Sequence, residues 1–275
     1  MSTGIPDSIM SDDALSSLAA ELDHENTVGV ALLGSYARGE ATVYSDVDLV
    51  RFADRAPDDD EQEYTLTYRE GHLVSITTTT IAAKRHEMTQ PETAIETVPG
   101  LRQARILLDK DSSVQRLQDA ARAFQWESLQ PAADRYASYE LMGYAEEVHK
   151  VLGGLERDDD SAVLIATVGL LMGMTKAVAV QRGVLIETEN SYYRQVQVAV
   201  GWETAWTRWH RLIAGFTPLP AGAPPAQARG SAALSLYRET AKLLDPIILP
   251  RHRPVVEGVL SAAGPNRGEP WLFRS

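Results

Sequence analysis

The stretch GSYARGEATVYSDVDL, residues 34–49, constrains the fold of this 275-residue chain more than any other feature. The run TVGVALL before it is apolar and contains β-branched residues, which predicts a buried strand over residues 27–33. A second strand is predicted over residues 46–53, and its period of two places Asp46 and Asp48 on one face. Two neighbouring carboxylates repel each other unless a positive charge lies between them. The pattern therefore predicts a metal ion at the start of the second strand.

The rest of the chain divides into two parts with different periodicity. In the first part, the pattern also predicts a helix over 11–25 with Ser11 as its N-cap, a short helical turn near 36–39 and a helix that begins at Pro91. Further strands are predicted over 63–69, 72–80 and 104–109, with a polar loop over 57–62. From about residue 112, apolar residues recur every three or four positions, which predicts helices. These helices are expected over 112–125, 131–156, 160–183, 202–215 and 231–244, with a Gly- and Pro-containing loop over 216–230.

The signature resembles that of a known superfamily. Gly34-Ser35, ten residues, and then Asp46-Val47-Asp48 look like the Gly-Ser…Asp-x-Asp signature of the DNA polymerase β nucleotidyltransferase superfamily. The fuller form GSYARGEA…SDVDL is typical of its antibiotic (aminoglycoside- or kanamycin-type) and minimal branches. The resemblance implies an α+β fold, with an N-terminal polymerase-β-like nucleotidyltransferase domain built on a mixed sheet (1–125). A C-terminal helical bundle that binds the substrate (126–275) would follow.

The resemblance also implies a role for each residue of the signature. Gly34 would let a triphosphate approach the backbone, because glycine has no side chain. Ser35 would bind phosphate through its hydroxyl and an N–H at a helix N-terminus, and Arg38 would donate to phosphate oxygens. Asp46 and Asp48 would supply hard oxygen ligands to Mg²⁺, which bridges the phosphates of the co-substrate ATP.

One acid that many members of the superfamily carry is absent. It is expected on a later strand of the sheet, near Val74 or Ser75, and neither residue is a carboxylate. Glu70 and His72, on the same strand face as Val74, are weak substitutes. Whether one or two metal ions bind is therefore left open.

A second acid is suggested by the kanamycin-type enzymes, which carry a Glu-x-x-x-Lys pair on the first long helix of their second half. Glu146 and Lys150 fit that pattern. The resemblance implies that Glu146 is the general base for the acceptor hydroxyl and that Lys150 binds the α-phosphate or the departing pyrophosphate. Glu147 is the alternative base. The competing interpretation is an ordinary stabilising i, i+4 pair on an exposed helix.

Aromatic residues of the second half admit two interpretations. Trp202, Trp206 and Trp209 would form one helical stripe, and Tyr192 and Tyr193 are adjacent in the chain. Such rings could stack on a base or a sugar, but a place in the core or at an interface is favoured.

The composition limits the chemistry and the binding partners expected of the chain. It has no cysteine, which excludes thiolate nucleophiles and Cys-ligated zinc. Its net charge of −12 opposes broad nucleic-acid binding and favours a small cationic substrate. The N-terminus has neither a basic region nor an apolar core of the kind found in secretory signals, and the stretch VLIATVGLLMGM is too short to span a bilayer. We therefore expect a cytoplasmic protein without a membrane partner, and related enzymes suggest a homodimer.

The predicted function is Mg²⁺-dependent transfer of a nucleoside monophosphate, AMP from ATP, to a hydroxyl of a small molecule, with release of pyrophosphate. An aminoglycoside-type antibiotic is the leading acceptor, which would make the protein a resistance enzyme. One alternative is a toxin-type nucleotidyltransferase that acts on tRNA or on a protein. Another is a non-catalytic nucleotide-binding regulatory module, which the missing strand acid suggests.

Overall fold

The computed structural model of the protein describes residues 7–56 and 63–264. The loop predicted over residues 57–62 lies outside the described residues. The chain divides into two units, each with its own interior. One, the α/β unit, comprises Met1–Trp126 and Leu185–Thr188, and the other, the helical unit, comprises Glu127–Val184 and Glu189–Ser275.

A five-stranded mixed sheet organises the α/β unit. Its strands are β1 (Thr27–Leu32), β2 (Val47–Ala53), β3 (Tyr64–Arg69), β4 (His72–Thr80) and β5 (Arg105–Asp109). They lie in the order β3-β4-β2-β1-β5. The β2–β4 pair is parallel, whereas β1–β2, β1–β5 and β3–β4 are antiparallel. The mixed sheet predicted for the first half is confirmed.

The turn between β3 and β4 has the backbone that a two-residue hairpin requires. Glu70 and Gly71 both have positive φ, 51° and 85°. This is the mirror-image turn whose twist matches that of the flanking strands.

Five helices accompany the sheet: α1 (Asp12–Glu21), α2 (Gly34–Arg38), α3 (Ile81–Glu87), α4 (Pro91–Gln103) and α5 (Ser113–Ala123). Helix α1 begins as predicted, because the Ser11 side chain accepts a hydrogen bond from the amide of Ala14 at 3.2 Å. Its Leu15 and Leu18 belong to a buried cluster that includes Val47 and Leu49 of β2 and Val74 of β4. Because side chains alternate along a strand, the residues between these positions face the other side of the sheet.

The helical unit contains α6 (Gln130–Gly143), α7 (Ala145–Glu156), α8 (Asp160–Gln181), α9 (Tyr192–Val200), α10 (Ala205–Ile213), α11 (Pro225–Leu244) and α12 (Arg253–Ala263). Helix α8 is central and packs against α6, α7 and α11. Among the described helices it alone has the length and composition of a membrane span, and 67% of that apolar window is buried inside the structure. Burial of this kind is what a core helix shows. The predicted combination of a mixed-sheet domain and a helical remainder is confirmed.

A buried histidine joins three helices of this unit. The His210 ring lies 2.9 Å from the Thr175 hydroxyl through Nε2 and accepts a hydrogen bond from the Gln197 amide at Nδ1, also at 2.9 Å. It stacks on Trp206 with ring centroids 4.8 Å apart. Burial lowers the pKa of His210 to about 4, so the ring is neutral at pH 7.

Three helix boundaries differ from the sequence prediction. The single helix predicted over residues 131–156 is divided at Tyr144 into α6 and α7. The helix predicted over 202–215 begins only at Ala205, so Trp202 precedes it and does not share a stripe with Trp206. Helix α11 begins at Pro225, inside the predicted loop, because proline is well tolerated at the first helical position.

Candidate active site

The turn after β1 is built around a glycine that no other residue could replace without rearrangement. Gly34 has φ +64°, and a Cβ atom added there would overlap Oδ2 of Asp48. The preceding amide of Leu33 donates to the backbone oxygen of Asp48 at 2.8 Å. Gly34 therefore allows the turn to lie directly against the Asp48 carboxylate, which is half-buried.

The strand register fixes the other oxygen of that carboxylate. In the parallel β2–β4 pair, Asp48 is opposite Ser75. The Ser75 hydroxyl, whose residue is only 7% exposed, donates to Asp48 Oδ1 at 2.7 Å. Ser75 thus occupies the place where a third acid was expected, and it supplies a donor instead of a third charge.

Glu70 and His72, the weak substitutes for the missing acid, do not lie beside Asp48. His72 is buried on the same strand face as Val74, and its Nδ1 lies 3.4 Å from the hydroxyl of Tyr36. Because Ser75 bonds to Asp48 and strand side chains alternate, His72 lies on the opposite face of the sheet. Glu70 is exposed in the hairpin turn. The suggestion that either residue replaces the acid is wrong.

Asp46 immediately precedes β2 and is exposed. It stands two residues from Asp48, and both carboxylates are of the type that Mg²⁺ prefers. Among the described residues, no group of three or more acids or histidines converges to hold a metal by itself. Two carboxylates fit a divalent cation only if phosphate oxygens and water complete its coordination.

The remaining residues of the turn belong to the five-residue helix α2. Ser35 is half-buried at its second position. The guanidinium of Arg38 bonds to Glu40 at 2.8 Å through Nε, and the Arg38 side chain is 17% exposed. Arg38 is therefore held near the turn by a carboxylate that lies at the surface.

A pocket of about 310 Å³ opens on the face of the sheet that carries Asp48. Its lining includes Leu33, Val50 and Phe52, together with residues of α3 and α4. Val50 and Phe52 lie two and four residues after Asp48, so a period of two places them on its face. The sequence analysis did not predict this pocket. The period of two along β2 could have indicated that Val50 and Phe52 lie on the same face as Asp48.

The residues predicted from the second half lie on the first two turns of α7. Glu146 is exposed, and the Lys150 side chain is 55% exposed. Lys150 bonds to Glu147 at 2.5 Å, an i, i+3 pair, and not to Glu146 as the sequence pattern suggested. That hydrogen bond raises the pKa of Lys150, so the ammonium remains charged.

Glu146 and Glu147 line a small hollow of about 140 Å³ together with Glu140 and Tyr144. Burial, followed by the charges of Glu140 and Glu147, raises the pKa of the Tyr144 hydroxyl. Tyr144 therefore stays protonated and can act as a hydrogen-bond donor among carboxylates. Neither the hollow nor Tyr144 was predicted.

Comparison with known protein families gives a match in the N-terminal region. Residues 15–88 match the family described as nucleotidyltransferase domain. This span contains the Gly34 turn, Asp48 and Ser75. A sequence search of curated proteins found no significant match.

Among solved structures, the chain is similar to a nucleotidyltransferase-like protein from Exiguobacterium sibiricum. The TM-score is 0.51 at 15% identity, and the alignment covers 90% of this chain and 77% of that chain. The likeness shows a shared fold.

Proposed function

We propose that the nucleotidyltransferase domain, which makes the protein an enzyme of nucleotidyl transfer, moves AMP from Mg-ATP to a hydroxyl of a small cationic molecule of the aminoglycoside type. One observation supports this above the others. Ser75 holds Asp48 against the Gly34 turn, so a carboxylate lies directly beside the turn that would bind phosphate. We further propose that the reaction takes place in the cytoplasm.

The nucleotide would lie along the Asp48 face of the sheet. Its phosphates would approach Gly34 and Ser35, with Arg38 donating to phosphate oxygens. Asp46 and Asp48 would hold Mg²⁺, which supplies charge neutralisation for phosphoryl transfer. The pocket above Val50 offers room for the nucleoside.

In the chemical step, the acceptor oxygen forms a bond to the α-phosphorus as the bond from that phosphorus to the bridging oxygen of the β-phosphate breaks. Pyrophosphate leaves with the electron pair. Glu146 takes the proton of the acceptor hydroxyl, and Lys150 donates to the α-phosphate or to pyrophosphate. The protein contributes chiefly by alignment, which is the usual source of catalysis in phosphoryl transfer.

The function is tested by mass spectrometry after incubation of the protein with Mg-ATP and a panel of aminoglycosides. We expect a mass increase of one AMP on at least one acceptor, lost in Asp48→Asn. If no member of the panel gains AMP, the acceptor class is wrong.

The two candidate bases are separated by Glu146→Gln and Glu147→Gln. The first should lower the transfer rate by about a hundredfold or more, as loss of a general base does. Glu147→Gln should have a smaller effect, because Glu147 is already bonded to Lys150. The reverse order would assign the base to Glu147.

The serine in place of an acid also favours a second candidate, a nucleotide-binding module without catalysis. Mg²⁺-dependent release of pyrophosphate from ATP that disappears in Asp48→Asn would exclude it. Binding of ATP without any pyrophosphate release, with every acceptor tried, would support it.

A further inference from the structure

The edge strand β3 has a sequence that reads the same in both directions. Residues 64–68 are Tyr-Thr-Leu-Thr-Tyr, and Glu63 and Arg69 flank them with opposite charges. Strand β3 lies at one end of the sheet, and among the described residues no strand pairs with its outer edge. An unpaired edge of this kind is a template for the addition of another strand. The sequence of β3 indicates which strand would fit.

The backbone groups along the outer edge belong to alternate residues. The carbonyl oxygen of Glu63 accepts a hydrogen bond from the amide of Thr78, next to β4, at 2.8 Å. In an antiparallel pair, the backbone groups of every second residue then point toward the same neighbour. The N–H and C=O groups of Tyr64, Leu66 and Tyr68 therefore point away from β4. A strand that adds to this edge would bond to these three residues.

The side chains of the same three residues are exposed. The exposed fraction is 57% for Tyr64, 53% for Leu66 and 71% for Tyr68. They lie on the Asp48 face of the sheet, because Leu66 is opposite Ser75, which bonds to Asp48. Three large apolar side chains in succession on one strand face gain free energy when a partner removes them from water.

We propose that β3 pairs antiparallel with β3 of a second copy of this chain, so that two five-stranded sheets join into one sheet of ten strands. The two-fold axis would pass between the two Leu66 residues. In this register the outward backbone groups of Tyr64, Leu66 and Tyr68 bond to those of Tyr68, Leu66 and Tyr64 in the second copy. Every outward group of these residues thus has a partner.

The side chains match in the same register. Tyr64 lies opposite Tyr68 of the second copy, and Thr65 lies opposite Thr67 of the second copy. Aromatic pairs and threonine pairs are among the cross-strand contacts that stabilise antiparallel strands. Because the axis repeats each contact, one favourable pair becomes two.

The flanking charges select this register over its neighbours. Glu63 lies opposite Arg69 of the second copy, and opposite charges in that position are favourable. Both residues are exposed, and Arg69 Nε lies 4.0 Å from Glu21, too far for a hydrogen bond. A shift by two residues would keep the backbone pairing but would separate the charges and the tyrosines. The strand is therefore self-complementary, as a two-fold interface requires.

The pairing would also relate the two candidate active sites. Asp48, Ser75 and Leu66 lie opposite one another in one row across β2, β4 and β3. The two-fold axis extends this row into the second copy, so both Asp48 carboxylates lie on the same face of the joined sheet. At about 4.8 Å per strand, five strand spacings separate them by roughly 24 Å. Both sites would open toward one side of the dimer.

Sedimentation velocity of the full chain tests the proposal. At about 50 μM, above the micromolar Kd of a weak interface, the wild type should sediment as a dimer of twice the chain mass of 30.1 kDa. A monomer at this concentration would overturn the proposal.

Leu66→Lys should abolish the dimer, because two lysines would then face each other at the axis. An unchanged circular dichroism spectrum would show that the fold is kept, since Leu66 is half exposed and lysine is common on edge strands. The matched control is Ile165→Lys on α8, where Ile165, Val168 and Met172 form another exposed apolar stripe. This control should remain a dimer. The reverse result, a monomer only in Ile165→Lys, would assign the interface to α8 and overturn the proposal.

Charge reversal tests the register without removing apolar surface. Glu63→Arg and Arg69→Glu should each raise the dimer Kd about tenfold, because each places like charges opposite one another at two positions. The double variant Glu63→Arg/Arg69→Glu should restore the wild-type Kd. A double variant as weak as the single variants would rule out this register.

Cross-linking gives a second measure of the register, because the wild-type chain has no cysteine. Leu66→Cys should form a disulfide-linked dimer with the oxidant diamide, since residues at the axis lie within disulfide reach. Tyr64→Cys should not, because its two copies are four residues apart along the strands. Tyr64→Cys mixed with Tyr68→Cys should cross-link. Equal cross-linking of Leu66→Cys and Tyr64→Cys alone would contradict the pairing.

Discussion

The two units place their polar side chains by different means. In the α/β unit, Asp48 is held by Ser75, which is 27 residues away in the chain and is brought opposite it by strand pairing. In the helical unit, Lys150 bonds to Glu147 on the next turn of the same helix. Strand pairing fixes which residue lies opposite Asp48, whereas an exposed helical turn offers Lys150 several possible partners. We therefore expect substitutions around Asp48 to displace its carboxylate, and loss of the Lys150–Glu147 bond to leave the stability of the helical unit nearly unchanged.

The largest effect should follow from Asp48→Asn. It removes a charge from a half-buried carboxylate, the proposed metal ligand, whose two oxygens are both placed by neighbours, and metal-assisted charge stabilisation is worth several kcal/mol. We expect the rate of AMP transfer to fall about a thousandfold or more. Asp54→Asn, at the exposed end of the same strand, is the control and should keep the wild-type rate. Activity retained in Asp48→Asn would refute the metal assignment.

The glycine turn should be nearly as sensitive. Gly34→Ala introduces a Cβ that overlaps Asp48, and a misplacement of about 1 Å can cost a hundredfold in rate. Gly39→Ala is a matched control, because Gly39 also has positive φ, 70°, but its Cβ would meet nothing within 4 Å. Gly39→Ala should lose about 1–2 kcal/mol of unfolding free energy in urea titrations because of its left-handed backbone. Gly34→Ala should lose at least as much, and only Gly34→Ala should lose activity. Equal rates in the two variants would show that the overlap is harmless.

Ser75 should act by positioning the Asp48 carboxylate. A hydrogen bond to a charged group contributes about 1.5–3 kcal/mol, so Ser75→Ala should lower kcat/KM about ten- to a hundredfold. Ser75→Thr keeps the hydroxyl and should restore most of the rate. If Ser75→Thr is as slow as Ser75→Ala, packing and not the hydrogen bond accounts for the loss.

The core of the helical unit should respond to acid. Burial holds the folded-state pKa of His210 at about 4, below its ordinary value near 6.5, so its stabilisation is present above pH 6.5 and is lost as the pH falls toward 4. The wild type should lose about 2 kcal/mol of unfolding free energy between pH 7 and pH 5 from this residue. His210→Gln should lack that component in urea titrations at the two pH values. An equal pH dependence in both proteins would show that burial does not lower the pKa of His210 in the folded state.

The smallest effect on stability should come from the exposed pair of the helical unit. Lys150→Ala removes a bond between side chains that are 55% and 22% exposed, and solvent screens such pairs. We expect the midpoint of urea unfolding to stay at its wild-type value within error. A lower midpoint would show that Lys150 is part of the fold and would weaken the contrast between the two units.

The sequence predicted the sheet more completely than the helical packing, for a physical reason. The strand period and the glycine turn each restrict the backbone to few conformations, so β1, β2 and the hairpin at Glu70-Gly71 follow from local pattern. Helices α3, α9 and α12 were not predicted, because helices of only 7 to 11 residues depend on packing more than on their own sequence.

For the site, residue types were predictable and partners were not. The pattern placed Asp46 and Asp48 beside a turn, but the bond from Ser75 depends on the parallel register of β2 and β4, which a single sequence does not specify. On α7, the spacing suggested that Glu146 pairs with Lys150, and the structure has Glu147 instead. Rotamer choice among neighbouring turns decides that pairing, and it leaves no trace in the pattern.

The serine on β4 has a consequence for how the enzyme would meet its cation. With two acids instead of three, the site without nucleotide would concentrate less negative charge and would attract free divalent ions more weakly. We expect the ion to enter already bound to the nucleoside triphosphate. The turnover rate should then depend on the concentration of that complex and not on the concentration of free metal. An enzyme of this kind would remain nearly metal-free between reaction cycles.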